Sequence, residues 1–154
     1  RRYAGIMDAL SEANVPVSNV RQIDYHTVFG SPVPSTSSYK SYEELFFPVD
    51  YTAVIGFNDL QSYSAMEILK ERGYRIPEDI SLISFDHLRK THTYLPPLTS
   101  IADNTDKSIA DTAVSILLDK IKNSDSKFTG AVLPVTIYDG HTTGPVNKDF
   151  ETSF

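Results

Sequence analysis

Two polar turns carry the residues of this chain whose types and spacing could do chemistry. Asn58 and Asp59 follow the apolar run TAVIGF, and Asp86 and His87 follow the apolar run ISLISF. An ionised carboxylate accepts hydrogen bonds from neighbouring hydroxyl groups, and an Asn side chain offers both a donor and an acceptor. These residue types therefore suit the recognition of a small polar ligand.

The segment between the two turns has the pattern of one helix. Asn58 and Gln61 fit a capping box at its start, and Gly73, with Pro77 beyond it, is a stop signal at its end. The order strand, helix, strand predicts an α/β fold, with a three-layer parallel sheet and flanking helices. Ligands bind such sheets outside the carboxyl ends of the strands, where both turns would emerge. We therefore expect one binding site that includes both turns.

The flanking sequence continues the alternation of helices and strands. An apolar stripe predicts a helix over residues 2–13 whose apolar face packs on a sheet, and β-branched and aromatic residues predict a short strand over residues 19–26. Ser38 is expected to cap a short helix. The other predicted elements are strands over residues 52–57, 80–85 and 131–138, an extended segment over residues 96–101, and an amphipathic helix over residues 106–123.

Composition fits one soluble domain. The chain has 154 residues, 40% of them hydrophobic, a formal net charge of −6 and no cysteine. The negative charge disfavours binding to nucleic acid by bulk charge, and the lack of cysteine excludes disulfides and thiol nucleophiles. No apolar run approaches the roughly 18 residues that a membrane span needs, so we expect no membrane contact. The opening RRYAG is already helical in pattern, so we expect a piece of a longer protein.

An enzymatic role competes with simple binding. Asp59 and Asp86 could form the carboxylate pair of a glycosidase, which needs a separation of about 5 to 9 Å. However, the chain has no GxSxG, HExxH, phosphate-loop or GxGxxG motif, and its four His residues lack metal-ligand spacing. His87 and His92 fit surface turn residues better than metal ligands. We therefore expect no catalytic activity, no metal and no cofactor.

The sequence also resembles a known family. The stretch NDLQSYSAMEILKERGYRIPEDISLISFD is similar to the signature region of the LacI–GalR family of transcriptional regulators. The similarity continues through RYAGIMDAL, LPPLTSI and LPVTIYDGHTT, so that it covers residues 2–145 with a weak match in residues 28–48. The resemblance implies a periplasmic-binding-protein-like fold of type I, in which this chain would be the C-terminal lobe of a two-lobed domain.

The same resemblance implies a domain organisation. Residues 1–145 would be part of an effector-binding domain, with residues 100–125 crossing to the first lobe, and residues 146–154 would form a polar tail. The helix-turn-helix headpiece that binds DNA would lie outside this segment. The apolar stripe of the helix over residues 106–123 would then lack neighbours and favour self-association.

The partners follow from the family as well. The whole regulator would be a cytoplasmic homodimeric repressor that binds a small effector, a sugar or a related polar metabolite, and contacts operator DNA only through its headpiece. The alternative is a periplasmic-type sugar-binding protein for transport or chemotaxis, which shares the fold.

Five positions take effector-binding roles from the resemblance. Asp86 would accept hydrogen bonds from adjacent hydroxyls, Arg2 would grip hydroxyls or a carboxylate, and Tyr25 would stack on the apolar face of a pyranose. Asn58 could bind or serve only as a helix cap, and Asp86 could be only an Asx-turn residue. Asp103 is the fifth predicted effector-binding residue.

Five positions need a separate interpretation. For Asp59 we favour a capping role. Where the family commonly has Gln or another long polar residue, this chain has Asp103, which leaves the effector class open. The usual basic residues near the closing strand are replaced by Asp139, Gly140 and His141, so contacts made there by relatives should not be assumed.

Overall fold

One four-stranded sheet organises the chain. The computed structural model describes residues 2–23, 44–88, 97–103, 108–123 and 130–147. Within these ranges helices and strands are interspersed along the chain, although the second and third strands follow each other with no described helix between them. The elements are α1 (Arg2–Glu12), a 3-10 helix (Val17–Asn19), β1 (Ala53–Ile55), α2 (Asp59–Glu71), β2 (Ser81–Phe85), β3 (Thr99–Asp103), α3 (Ile109–Lys122) and β4 (Val135–Tyr138).

Strand order in the sheet follows strand order in the chain, β1-β2-β3-β4. The first three strands are parallel, with Ala53 opposite Ser81 and Ile83 opposite Thr99. β4 runs antiparallel to β3, with Ile101 opposite Ile137. The predicted α/β fold class is thus confirmed, and the sheet is parallel except for this edge strand.

The core lies between α2 and β2. Ile68 and Leu69 on α2 pack with Ile80 and Leu82 on and beside β2, and all four side chains are fully buried. Burying a side chain of this size contributes about 1.5–3 kcal/mol. The rest of the buried apolar cluster consists of Phe46, Tyr63, Ala65, Met66, Ile76 and Leu98.

Helix α2 begins and ends where the sequence predicted. The side-chain oxygen of Asn58 accepts a hydrogen bond from the backbone N–H of Gln61 at 2.9 Å, which caps the helix. At the other end Gly73 adopts φ +89°, a left-handed conformation that costs glycine little. This φ takes the chain out of the helix, and the Gly73 N–H closes the last turn by donating to the Lys70 carbonyl. These local signals fix the position of α2 between the two polar turns.

The segment before β1 departs from the prediction. The strand expected over residues 19–26 is wrong in its described part, because Asn19 ends a 3-10 helix and residues 20–23 belong to no strand. The turn is closed by hydrogen bonds from Asn19 N–H to Pro16 and from Val20 N–H to Val17. The predicted cap residue Ser38 and the following residues to 43 lie outside the described ranges.

Helices α1 and α3 are less covered than α2. No described residue of either helix is buried, and the apolar face of α1 (Ile6, Met7 and Leu10) is only half-buried. α1 instead reaches the carboxyl end of the sheet through Arg2. The expected packing of the α1 apolar face on a sheet is therefore not seen among the described residues.

Helix α3 is confirmed as an amphipathic helix with an exposed stripe. Ser108 caps it by accepting a hydrogen bond from the Asp111 N–H at 3.0 Å. Its large apolar residues are exposed, including Ile109 at 63%, Leu117 at 59% and Ile121 at 70%. Most of the apolar surface of this helix is therefore left uncovered by the described residues.

Candidate functional site

The two polar turns lie side by side at the carboxyl ends of β1 and β2. The Gly56 N–H donates to the Ile83 carbonyl at 2.8 Å, which keeps the two strand ends together. Phe57 and Asn58 then follow β1, and Asp86 follows β2. The parallel register therefore brings the two predicted turns to one edge of the sheet, as expected for this class of fold.

Arg2 joins the two turns from α1. One guanidinium nitrogen donates to the Asp86 carboxylate at 2.5 Å, and the other donates to the Phe57 carbonyl at 2.6 Å. The Arg2 and Asp86 side chains are 38% and 35% exposed. Both charged groups can therefore reach solvent, and a ligand, while they remain paired.

Two aromatic rings hold the Arg2 guanidinium in place. Its central carbon lies 4.9 Å from the centre of the Phe57 ring and 4.9 Å from that of the Phe85 ring. Such distances allow cation–π attraction on both rings. Sequence reasoning missed Phe57 and Phe85 as site residues, although each is the last residue before a polar turn.

The backbone after β2 is unusual. Asp86 has φ +96° and His87 has φ +46°, so two consecutive residues other than glycine are left-handed. Asp and His tolerate this region better than most residues, yet each such conformation still costs on the order of 1–3 kcal/mol. Backbone strain of this kind is common at ligand-binding turns. The conformation is compatible with the effector contact predicted for Asp86, which stays a prediction.

Asp59 lies beneath this turn and is buried, at 1% exposure. One carboxylate oxygen accepts from the Leu88 N–H at 2.6 Å, and the other accepts from the Ser100 hydroxyl at 2.8 Å. The same hydroxyl accepts from the His87 N–H at 3.0 Å. The capping role favoured for Asp59 is therefore wrong, since Asn58 is the cap and Asp59 ties α2 to β3 and to the second turn.

Asn58 combines a structural role with access to the site. It is half-buried, and its side-chain oxygen is engaged by the helix cap. The amide N–H₂ group can still donate to a ligand. Capping and ligand contact are compatible at a helix N-terminus, where ligands with negative charge or acceptor groups are favoured.

Asp103 lies at the end of β3 and contacts other partners. Its carboxylate accepts from the Ile109 N–H at 2.8 Å, at the start of α3, and its carbonyl accepts from the Tyr138 hydroxyl at 3.0 Å. No contact joins it to Arg2 or Asp86. Tyr25, the predicted stacking residue, lies outside the described residues.

The second turn also contacts the edge strand. The His87 ring stacks on the Tyr138 ring with centres 3.8 Å apart and planes 8° apart. Beside this stack a cavity of about 260 Å³ is bordered by Tyr63, Leu98 and Asp139 together with the Asp59 network. In the described ranges no group of three His, Cys, Asp or Glu side chains could hold a metal ion.

One further property concerns membranes. Among the helices that the structure describes, none is both long enough and apolar enough to cross a bilayer.

Comparison with known sequences gives consistent relatives. The periplasmic binding protein-like domain family matches residues 1–143. The chain is 37% identical over 123 residues to the HTH-type transcriptional repressor PurR of Aliivibrio salmonicida, covering 79% of this chain and 35% of that protein. It is 30% identical over 128 residues to PurR of Mannheimia succiniciproducens, covering 82% and 36%. The chain thus spans about a third of the length of these relatives.

Comparison with solved structures agrees. A LacI family transcriptional regulator from Enterococcus faecium with bound ribose matches with a TM-score of 0.71 and 26% identity, over 94% of this chain and 51% of that one. The complex of the transcriptional regulator CelR with cellobiose matches with a TM-score of 0.69 over 92% and 41%, but its 22% identity shows the fold alone.

Proposed function

Because the chain belongs to the periplasmic binding protein-like domain family, with LacI-type regulators as its relatives, we propose that it binds a small sugar or related polar metabolite that controls DNA binding. The LacI–GalR resemblance predicted from the sequence is thereby confirmed. The observation that carries the proposal is the Arg2–Asp86 pair at the carboxyl ends of β1 and β2.

The charge of this pair favours a neutral ligand. Arg2 supplies donors and Asp86 supplies acceptors, and their formal charges cancel. A hydroxyl group both donates and accepts, so a pair of adjacent hydroxyls can bond to both side chains at once. The amide of Asn58, at the neighbouring turn, adds a donor. This combination suits a polyhydroxy compound better than a strongly anionic one.

The aromatic rings add an apolar surface to the site. Phe57 is 64% exposed and lies directly beside Arg2. A flat exposed ring can stack on the apolar face of a sugar, while the ring edge leaves the hydroxyls to polar side chains. The neighbour with bound ribose is consistent with this class of ligand. Tyr25 and Asp103 remain proposed contacts of the same ligand.

The mechanism would be a shift between two lobe orientations. In this proposal residues 1–145 belong mainly to the second lobe, residues 100–125 cross to the first, and residues 146–154 form a tail. An effector that contacts both lobes stabilises one orientation, and its difference in affinity for the two orientations drives the switch. A homodimer in the cytoplasm would transmit the change to operator DNA through headpieces outside residues 1–154.

The two alternatives are less well supported. The relatives named above are transcriptional repressors, which favours a regulator over a periplasmic sugar-binding protein for transport. The same relatives speak against a glycosidase. In addition, Asp59 is buried and bonded to Leu88 and Ser100, so it does not face Asp86 across an open cleft.

Thermal unfolding with a ligand panel tests the proposal. The intact protein is melted with D-ribose, cellobiose, other mono- and disaccharides, nucleobases and sugar phosphates. The expected result is stabilisation by one neutral polyhydroxy compound, absent in Asp86→Ala. Asp50→Ala is the matched control, because Asp50 also pairs with an arginine, Arg21, at 3.4 Å but away from the site. Equal stabilisation of parent and Asp86→Ala would refute the site assignment.

A further inference from the structure

The conformation of the second turn needs support from outside the turn. Asp86 and His87 both have positive φ, so the backbone of residues 86–88 (the 86–88 turn) is held in a region that such residues seldom occupy. A short exposed segment keeps such a conformation only when its surroundings over-determine it. The hydrogen bonds to the turn therefore show what selects its shape.

Three backbone N–H groups of the turn are bonded to neighbouring elements. The Asp86 N–H donates to the Ile101 carbonyl at 2.9 Å, which continues the pairing of β2 with β3. The next two N–H groups leave that ladder and donate to side chains. His87 donates to Ser100 at 3.0 Å, and Leu88 donates to Asp59 at 2.6 Å. The change from backbone to side-chain acceptors coincides with the two positive φ angles.

Asp59 and Ser100 act together in this support. The Ser100 hydroxyl donates to one oxygen of Asp59 and accepts from His87, while the other oxygen of Asp59 accepts from Leu88. Both side chains are at 1% exposure, so water competes little with these bonds. Hydrogen bonds to a charged group are also stronger than neutral ones.

The position of Asp59 explains why a carboxylate can be kept there. It is the first residue of α2, where the partial positive charge of the helix N-terminus favours an anion. The helix that carries Asp59 is itself fixed, because its residues Ile68 and Leu69 are buried in the core. Through its Asp59 side chain, α2 therefore adds a direct contact to the turn, beside the pairing of β1 with β2.

We propose that Asp59, with Ser100, is a positioning residue for effector binding. Its buried carboxylate fixes the 86–88 turn so that the Asp86 carboxylate meets Arg2, and it does not itself touch the effector. The inference rests on the proposed function for its consequence, but the geometry of the turn can be measured without any ligand.

The experiment compares three variants of the intact protein. Asp59→Ala and Ser100→Ala each remove hydrogen bonds to the turn. Thr142→Val is the matched control for Ser100→Ala, because Thr142 is also fully buried and its hydroxyl donates to Leu82 at 2.7 Å and accepts from the Thr99 N–H at 2.9 Å. We expect Thr142→Val to lower stability without removing a hydrogen bond to the turn.

Hydrogen exchange of the amides of His87 and Leu88 is the first readout. We expect exchange about tenfold faster or more in Asp59→Ala and Ser100→Ala, and unchanged in Thr142→Val, since a lost local bond of about 1.4 kcal/mol corresponds to a factor of ten. Should Asp59→Ala fail to fold, Ser100→Ala decides alone. Unchanged protection of both amides in the folded variants would overturn the proposal.

Calorimetric titration with D-ribose is the second readout. If the parent binds ribose, Ser100→Ala should raise the Kd about tenfold, while Thr142→Val leaves it within about twofold at a similar loss of melting temperature. Equal Kd values for these two variants would overturn the positioning role. If the parent does not bind ribose, D-ribose is not its effector, and the exchange result still decides whether Asp59 and Ser100 hold the turn.

Discussion

Replacing Arg2 by methionine should separate ligand binding from stability. Met removes the charge and both hydrogen bonds, to Asp86 and to the Phe57 carbonyl, but keeps an unbranched aliphatic stem at this position of α1. Arg2→Met therefore tests the site with little change in helix propensity.

The expected loss of stability is small. The two charged side chains are 38% and 35% exposed, and pairs of this exposure contribute about 0–1 kcal/mol because solvent screens them. Attraction to the exposed Phe57 ring and to Phe85 adds about 0.5–1 kcal/mol in such settings. We expect a fall of about 1 kcal/mol in unfolding free energy, or about 2–4 °C in Tm for a domain of this size.

The expected loss of binding is larger. Without Arg2 the effector loses charged donors, and a hydrogen bond to a charged group is worth about 1.5–3 kcal/mol. This corresponds to an increase of about 10- to 150-fold in Kd. Urea unfolding and calorimetric titration with the stabilising compound from the ligand panel measure the two quantities on one preparation.

Arg21→Met is a matched control for this experiment. Like Arg2, Arg21 pairs with a carboxylate, that of Asp50, and lies 4.9 Å from a ring centre, that of Tyr51. It donates to two backbone carbonyls, of Phe46 and Pro48, where Arg2 donates to one. It should lose a comparable amount of stability and keep the parent Kd. The reasoning is refuted if Arg2→Met binds within about twofold of the parent, or if it loses more than about 3 kcal/mol of stability.

Three further predictions concern single residues. Asn58→Asp keeps the side-chain oxygen that caps α2 but loses the amide donor. The free energy of unfolding in urea should therefore change by less than about 0.5 kcal/mol, while the Kd of the effector rises. An unchanged Kd would mean that Asn58 is only a helix cap. Ile68→Ala removes most of a fully buried side chain and should lower the free energy of unfolding, measured in urea, by about 2–5 kcal/mol. A loss below about 1 kcal/mol would contradict the assigned core. Hydrogen bonds from the Arg75 guanidinium lower the pKa of Asp79 to about 2, so this carboxylate stabilises the fold above its ordinary pKa, and that stability is lost as the pH falls towards 2. Asp79→Asn should therefore flatten the decline of stability with acid, measured by urea unfolding between pH 5 and 2, and parallel profiles for variant and parent would contradict the pairing.

Local signals made α2 predictable from the sequence. The cap at Asn58 and the stop at Gly73 depend on side-chain and backbone chemistry within a few residues, and the structure confirms both. The position of both polar turns at the carboxyl ends of β1 and β2 could be predicted from the order strand, helix, strand. The meeting of Arg2 with Asp86 could not, because it joins residues 84 positions apart; the family resemblance named both as effector contacts but did not predict that they pair.

Long-range contacts account for most of what the sequence could not predict. The burial of Asp59 depends on Ser100, a residue 41 positions away, so its local pattern suggested a cap instead. The antiparallel direction of β4 depends on which edge of the sheet is open, and no periodicity encodes this. The strand expected over residues 19–26 had the right composition, but composition does not supply a neighbouring strand.

The order of the strands has a consequence for how the chain assembles. Among the described residues each strand pairs with the strand that follows it in the sequence, so none of these four strands has to be inserted between two others. The continuous segment from β1 to β2 already contains four fully buried apolar residues, Ile68, Leu69, Ile80 and Leu82. Contacts of short sequence separation form fastest, since less chain entropy is lost in closing them. We expect β1, α2 and β2 to form the folding nucleus, and β3 and β4 to add to its open edge afterwards.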